Sequence, residues 1–188
     1  MKWAFRFIFI AIIILEGLGA IGFLKFASDF TWLGLIVTLV GAWIALEVSE
    51  SPTWLWWVTL AMVLMDGVSD LLLLYSRIGN WDRLMHALGG SVIAAWALQL
   101  ALRSLSRGHV RVRRRVFYII ASVVGATVLG GFLYEALEYA VDRWHYDQPT
   151  TLVSAYDTVD DQLFNLLGAG IVLSGYYFIA QNFKRQKK

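Results

Sequence analysis

The stretch RSLSRGHVRVRRR, Arg103–Arg115, packs six arginines between two long apolar runs, LMHALGGSVIAAWALQLAL at Leu84–Leu102 and VFYIIASVVGATVLGGFLYEALEYAV at Val116–Val141. Each flanking run has the length of about 20 residues that a helix needs to cross a bilayer core. Such a basic loop between two crossings marks the cytoplasmic side. Working outward, four further apolar segments are expected to be helical spans: Trp3–Leu24, Phe30–Val48, Trp54–Tyr75 and Asp161–Phe183. Six crossings return the chain to the side on which it began. Lys2 and Arg6 at the start, and Lys184, Arg185, Lys187 and Lys188 at the end, then share the cytoplasmic side with the arginine loop.

Composition agrees. The 188 residues are 59% hydrophobic and 16% charged, with a mean hydropathy of +0.61, too apolar for an ordinary soluble domain. The expected fold is all-α: one domain over residues 1–188, a bundle of six transmembrane helices with both termini cytoplasmic. Helices satisfy their own backbone in lipid, and nothing in the pattern reads as a barrel of alternating strands. The first segment outlines a signal peptide, but Glu16 interrupts its apolar run and no small-residue cleavage site follows, so it reads as a retained helix. Trp54, Trp56 and Trp57 read as interfacial anchors. There is no cysteine, which excludes thiolate catalysis, disulfides and thiolate metal sites. The net charge of +2 gives no reason to expect nucleic acid as a partner.

The acids distribute oppositely. On this topology twelve of the fourteen, Glu16, Asp29, Asp66, Asp70, Asp82, Glu135, Glu138, Asp142, Asp147, Asp157, Asp160 and Asp161, fall on the outer side or in the outer parts of helices. They face only Lys25, Arg77, Arg83 and Arg143 there. Ionisable side chains in apolar helices are costly and mark candidate functional sites. Carboxylates crowded at low dielectric need protons or a bound cation.

Spacing converges on one place. Asp82 and His86 stand four apart at the opening of one helix, which puts carboxylate and imidazole on one face. Gly131, Glu135, Glu138 and Asp142 form a stripe at the end of the next. Asp157, Asp161, Asn165 and Gly168 line up at successive turns of the last. Oxygen ligands plus one imidazole suit Mg²⁺, Mn²⁺, Fe²⁺ or Zn²⁺. The expected ligands of a divalent metal ion are Asp82, His86, Glu138, Asp157 and Asp161, with Glu135 and Asn165 as further ligands or as groups that orient them. Asp66, Asp70 and Glu16 are weaker, supporting candidates. Asp66 and Asp70 read first as helix-to-helix bonding groups, with Arg77 near them. His86 or Glu135 would serve as the acid or base. His145 is a further ligand candidate in the outer loop, and His109 lies on the opposite side. Residues Arg143–Tyr156 read as an ordered outer loop over the site, and the glycines, among them Gly89, Gly90, Gly125, Gly130, Gly131, Gly168 and Gly170, as close-packing positions.

The motifs Trp81-Asp82-Arg83-Leu84-Met85-His86-Ala87-Leu88-Gly89-Gly90, Tyr134-Glu135-Ala136-Leu137-Glu138 and Tyr156-Asp157-Thr158-Val159-Asp160-Asp161, with Asn165-Leu166-Leu167-Gly168-Ala169, resemble the YjdF-type family of small integral membrane proteins. More distantly they are similar to VanZ-like proteins, which carry an aspartate-histidine pair opening one helix and an aspartate followed by an asparagine-glycine stretch on a later one. The resemblance covers about the second half of the chain. It implies a multi-pass protein of a prokaryotic plasma membrane, and it implies no particular reaction.

Three functions fit these observations. One is a metal-dependent membrane enzyme acting on the phosphoryl or ester group of a lipid, or on a lipid-linked or envelope small molecule, at the outer leaflet. Against it, the chain has no GxSxG elbow, Walker loop or HExxH. The second is an accessory protein in which the polar cluster only fixes packing. The third, proton- or cation-coupled transport, suffers because the inner halves of the last three helices hold almost no polar groups beyond Gln99 and Ser122. Membrane lipids are the expected neighbours throughout.

Overall fold

The computed structural model describes residues 2–20, 29–108, 114–145 and 155–186. Among them every regular element is helical: α1 Lys2–Ala20, α2 Asp29–Val48, α3 Thr53–Leu71, α4 Leu74–Arg77, α5 Trp81–Ser106, α6 Arg115–His145 and α7 Ala155–Gln186. Three stretches are long and apolar enough to cross a membrane, Trp81–Ser106, Arg115–Ala140 and Tyr156–Asn182, whereas Ile36–Val48 and Thr53–Ser69 are shorter apolar helices.

The third expected span is shorter than its apolar run. α3 stops at Leu71, Leu73 takes the left-handed conformation at φ 56°, and the chain continues as the single turn α4. A leucine in that region is sterically costly, and this one is mostly exposed. The reversal brings Tyr75 back beside α3, where its hydroxyl donates to Asp66 at 2.5 Å. The last three helices, in contrast, extend beyond their expected limits at both ends.

Two apolar cores share the bundle. Phe9, Leu39, Leu46, Leu55 and Trp56 join α1, α2 and α3, while Ala94, Ala101, Ile119, Val123 and Ala169 join α5, α6 and α7. Trp56 is fully buried and meets Phe9 edge to face at 5.8 Å; it is a core residue, and only Trp54 and Trp57 retain the exposure of interfacial anchors. Two indole bonds tie α3 to α5, Trp81 Nε1 to Ser69 Oγ at 2.8 Å and Trp96 Nε1 to Thr59 Oγ1 at 3.0 Å. In turn, Ser69 and Thr59 donate to carbonyls one turn earlier, Met65 and Leu55. That arrangement satisfies a hydroxyl without water.

α5 makes its most extensive contact with α7, and the sequence reason is glycine. A Cβ placed at Gly90 would lie 2.4 Å from the Asn165 carbonyl oxygen, and one at Gly168 would lie 2.2 Å from that of Ala87. Each helix therefore presses its backbone into the other's glycine, the small-residue approach that substitutes for hydrophobic drive between helices in lipid. Gly131 and Gly130 are also closely packed, against Asn165, Gln162 and Ile93. Gly125 and Gly170 face open space and hold nothing together.

Charge sorts along the bundle axis. At the end where α2 finishes and α5 finishes, Arg6 pairs with Glu47 at 2.6 Å, and Arg107 at 2.8 Å, with Arg103, pairs with Glu50. Glu50 sits at φ 46° in the α2–α3 turn. The Arg107 and Arg103 guanidiniums hold its carboxyl below the ordinary range.

Two expectations follow. Gly90→Ala and Gly168→Ala should each destabilise the detergent-solubilised protein by about 1–3 kcal/mol or more, the usual cost of overpacking, whereas Gly125→Ala should be neutral or stabilising, as thermal melts would show. For Glu50, a carboxyl with a lowered folded-state pKa contributes stability above its unfolded value, about 4.3, and loses it as pH falls through the folded value. The difference in melting temperature between wild type and Glu50→Gln should thus hold from about pH 8 to about pH 5 and vanish only below about pH 4. A difference already lost at neutral pH would contradict the pairing.

Candidate functional site

The opposite end of the bundle, where α3 and α6 finish and α5 and α7 begin, gathers the acids. One turn of α5 carries Asp82 and His86, and the α5–α7 crossing sets Asp161 against them. His86 Nε2 lies 3.5 Å from Asp82 Oδ1, 3.6 Å from Asp161 Oδ1 and 3.6 Å from Glu135 Oε1. Three carboxylates on three helices thus surround one ring nitrogen. Ligand atoms of Asp82, His86 and Asp161 lie within 4.8 Å of one another, so this buried group could hold a metal ion.

The surroundings are largely buried and underpaired. Asp161, His86, Glu135 and Asn165 are all buried. The Tyr134 ring meets His86 edge to face at 5.9 Å. Glu135 Oε1, Asn165 Nδ2 and both side-chain polar atoms of Gln162 are buried without a hydrogen-bond partner. A buried polar atom left unpaired costs about 1–3 kcal/mol, so each of these calls for a partner. Gly131 makes their position possible: a Cβ there would strike Asn165 Nδ2 at 2.6 Å and Gln162 Nε2 at 2.7 Å.

Bases do not compensate. Arg83, next to Asp82 in sequence, turns outward to Asp160 at 2.6 Å and lies over the Phe164 ring. Among the described residues no Lys or Arg pairs with Asp82, Glu135 or Asp161. Like charges this close are tolerated only with a proton or a cation among them.

Of the expected ligands, three have ligand atoms close together. Asp82, His86 and Asp161 come together, and Glu135, expected as a further ligand or an acid-base group, reaches His86 as closely as Asp161 does. Asn165 sits beside them on α7. Glu138 and Asp157 keep exposed surface and are not among the three residues whose ligand atoms lie within 4.8 Å of one another. Asp66 lines the same cavity as Asp82 and His86, but its partner is Tyr75 rather than Arg77. The side chains of Glu16, Asp70 and His145 lie outside the described residues, as do His109 and most of the Arg143–Tyr156 loop. Gln162 was not expected at the site; its signal is its place three residues before Asn165, which puts both amides on the face that meets Gly131.

Beneath the acids the bundle leaves a cavity of about 540 Å³ bounded by α2, α3, α5 and α6. Asp66, Tyr75, Asp82 and His86 form its polar end, and Thr59 and Trp96 lie at its apolar depth.

A family model described as "Predicted membrane protein (DUF2238)" matches residues 1–182. The YjdF-type resemblance is consistent with it, and the VanZ-like one gains no support. The chain matches no curated protein and no solved structure. With a family match over nearly its whole length and three helices able to span a bilayer, the chain belongs to the DUF2238 family of predicted membrane proteins.

Proposed function

We propose that this protein is a multi-pass plasma-membrane protein of a prokaryote whose Asp82, His86, Asp161 and Glu135 bind one divalent cation on the extracytoplasmic side, and that the bound ion acts on a lipid or lipid-linked envelope substrate. The observation that carries this reading is Glu135 Oε1, buried and without a hydrogen-bond partner 3.6 Å from His86 Nε2. A cation at the centre of the group would pair that oxygen and offset the surplus of carboxylates together. The donor set is oxygen and imidazole, which suits Mg²⁺, Mn²⁺, Fe²⁺ or Zn²⁺.

Orientation follows from charge. Arg6, Arg103 and Arg107 gather at one end of the bundle, and we assign that end to the cytoplasm, which with six crossings would put both termini there. The acidic site then opens outward. Asn165 and Gln162 flank the ligands and could orient them or a substrate oxygen. Exposed Glu138 and Asp157 add negative potential at the mouth and would draw cations in. A bound divalent ion would polarise a phosphoryl or ester oxygen. A Glu135 bound to the ion through Oε1 alone would keep its second carboxylate oxygen to move a proton.

The accessory reading has its own support in the Tyr75–Asp66 and Trp–Ser/Thr bonds, whose groups are all paired and serve packing. The unpaired atoms around His86 are what it leaves unexplained.

Elemental analysis of detergent-purified protein incubated with Mn²⁺ or Zn²⁺ should find close to one ion per chain, and Asp82→Asn with Asp161→Asn should lower retention by at least about tenfold. Adding the ion at about 100 times its Kd should stabilise the wild type by about 2.7 kcal/mol and leave the folded double variant unmoved. Equal metal content in the two proteins would refute the site.

A further inference from the structure

We propose that the cavity beneath the polar cluster takes the single hydrocarbon chain of a phosphate-headed amphiphile, which enters from the bilayer between α2 and α6 and places its head at Asp82, His86 and Asp161. This inference rests on the cation-site reading for the head group, and on the cavity alone for the chain.

The cavity has the form of such a ligand. Its ionisable groups are all at one end, its remaining wall is mostly apolar, with side chains such as Met62, Val63, Val92 and Ile93, and the polar atoms of Thr59 and Trp96 at the far end bond each other. From His86 to Trp96 the wall runs ten residues along α5, about 15 Å at the helical rise. That is about half of the hydrocarbon thickness of a bilayer, the depth of one leaflet. Its volume of about 540 Å³ falls within the usual range for small-molecule sites. The Trp96–Thr59 bond stands at the deep end, so a chain whose head rests at the acidic end has a defined floor.

The side entrance is visible in exposure. Val37 on α2 and Leu133 on α6 line the cavity and also keep 44% and 58% of their surface open. One turn after Val37 on α2, a Cβ at Gly41 would meet nothing within 4 Å. In a membrane this gap faces acyl chains.

Charge selects the head. Carboxylates alone would repel a phosphate, but a divalent ion held by a few protein ligands commonly completes its shell with phosphate oxygens. The buried amides of Asn165 and Gln162, without partners in the protein, supply donors for the same oxygens. A cationic head would leave those donors unpaired.

The test uses the full chain in liposomes with Mn²⁺ and a dodecyl phosphate bearing a photoreactive diazirine at the far end of its chain. Peptide mass spectrometry should place the label on segments containing Met62, Val92 or Trp96. Gly41→Leu, which fills the entrance, should cut this labelling by about tenfold, a loss that excluding two methylenes would already produce, while its Mn²⁺ content stays at the wild-type level. Gly125→Leu, away from the cavity and equally unobstructed, should label as wild type. Chelation should abolish labelling by the phosphate probe and spare that by the dodecanol analogue. Labelling spread over all lipid-facing helices, or unaffected by Gly41→Leu, would overturn the cavity assignment. Stronger labelling by the dodecyl trimethylammonium analogue would overturn the head-group assignment. A wild-type protein that retains no metal yet shows Gly41-sensitive labelling by the dodecanol analogue would defeat the cation site and leave the chain site standing.

Discussion

The backbone contact between α5 and α7 is the constraint on which the rest of this structure depends. Gly90 accepts the Asn165 carbonyl and Gly168 accepts that of Ala87 at separations no side chain would allow. Because His86 lies one turn before Gly90, and Asp161 about two turns before Gly168, the same contact brings imidazole and carboxylate within 3.6 Å. Geometry that serves packing in one part of each helix thus assembles a polar site in the next.

A second ordering principle is electrostatic separation. At one end every described carboxylate near the surface has a guanidinium: Glu47 has Arg6, and Glu50 has Arg103 and Arg107. At the other, Arg83 neutralises Asp160 at the periphery and leaves the inner carboxylates to one histidine. Exposed pairs of the first kind contribute little to stability. Their value is directional, since they hold the basic segments together on one side.

Much of this was legible in the chain. The 3.6-residue repeat is a property of covalent geometry, so the four-residue spacing of Asp82 and His86, and of Asp161 and Asn165, carried straight into shared faces. The all-helical class followed from long apolar runs with no cysteine or strand alternation. What spacing could not resolve was rotation about each helix axis. Glu135 and Glu138 are both plausible on a one-dimensional stripe, and only the packing of α6 decides that the first is buried and the second exposed. Trp56 shows the same limit: three tryptophans near a helix start suggest interfacial anchors, yet the middle one turns inward against Phe9. The break after Leu71 was hidden for another reason. No glycine or proline announces it, because the left-handed residue is Leu73, a residue type that does not favour that region.

The two tryptophan bonds from α5 to α3, one near each end of the shared interface, act as spacers. They fix the separation of the helices at Ser69 and Thr59 and leave the interval between them unable to collapse. On the proposed membrane reading, a gap propped open in this way would become a compartment of the lipid phase itself. Its contents would then follow the composition of the surrounding leaflet, so the protein's occupancy would register which chains the cell is making at a given moment.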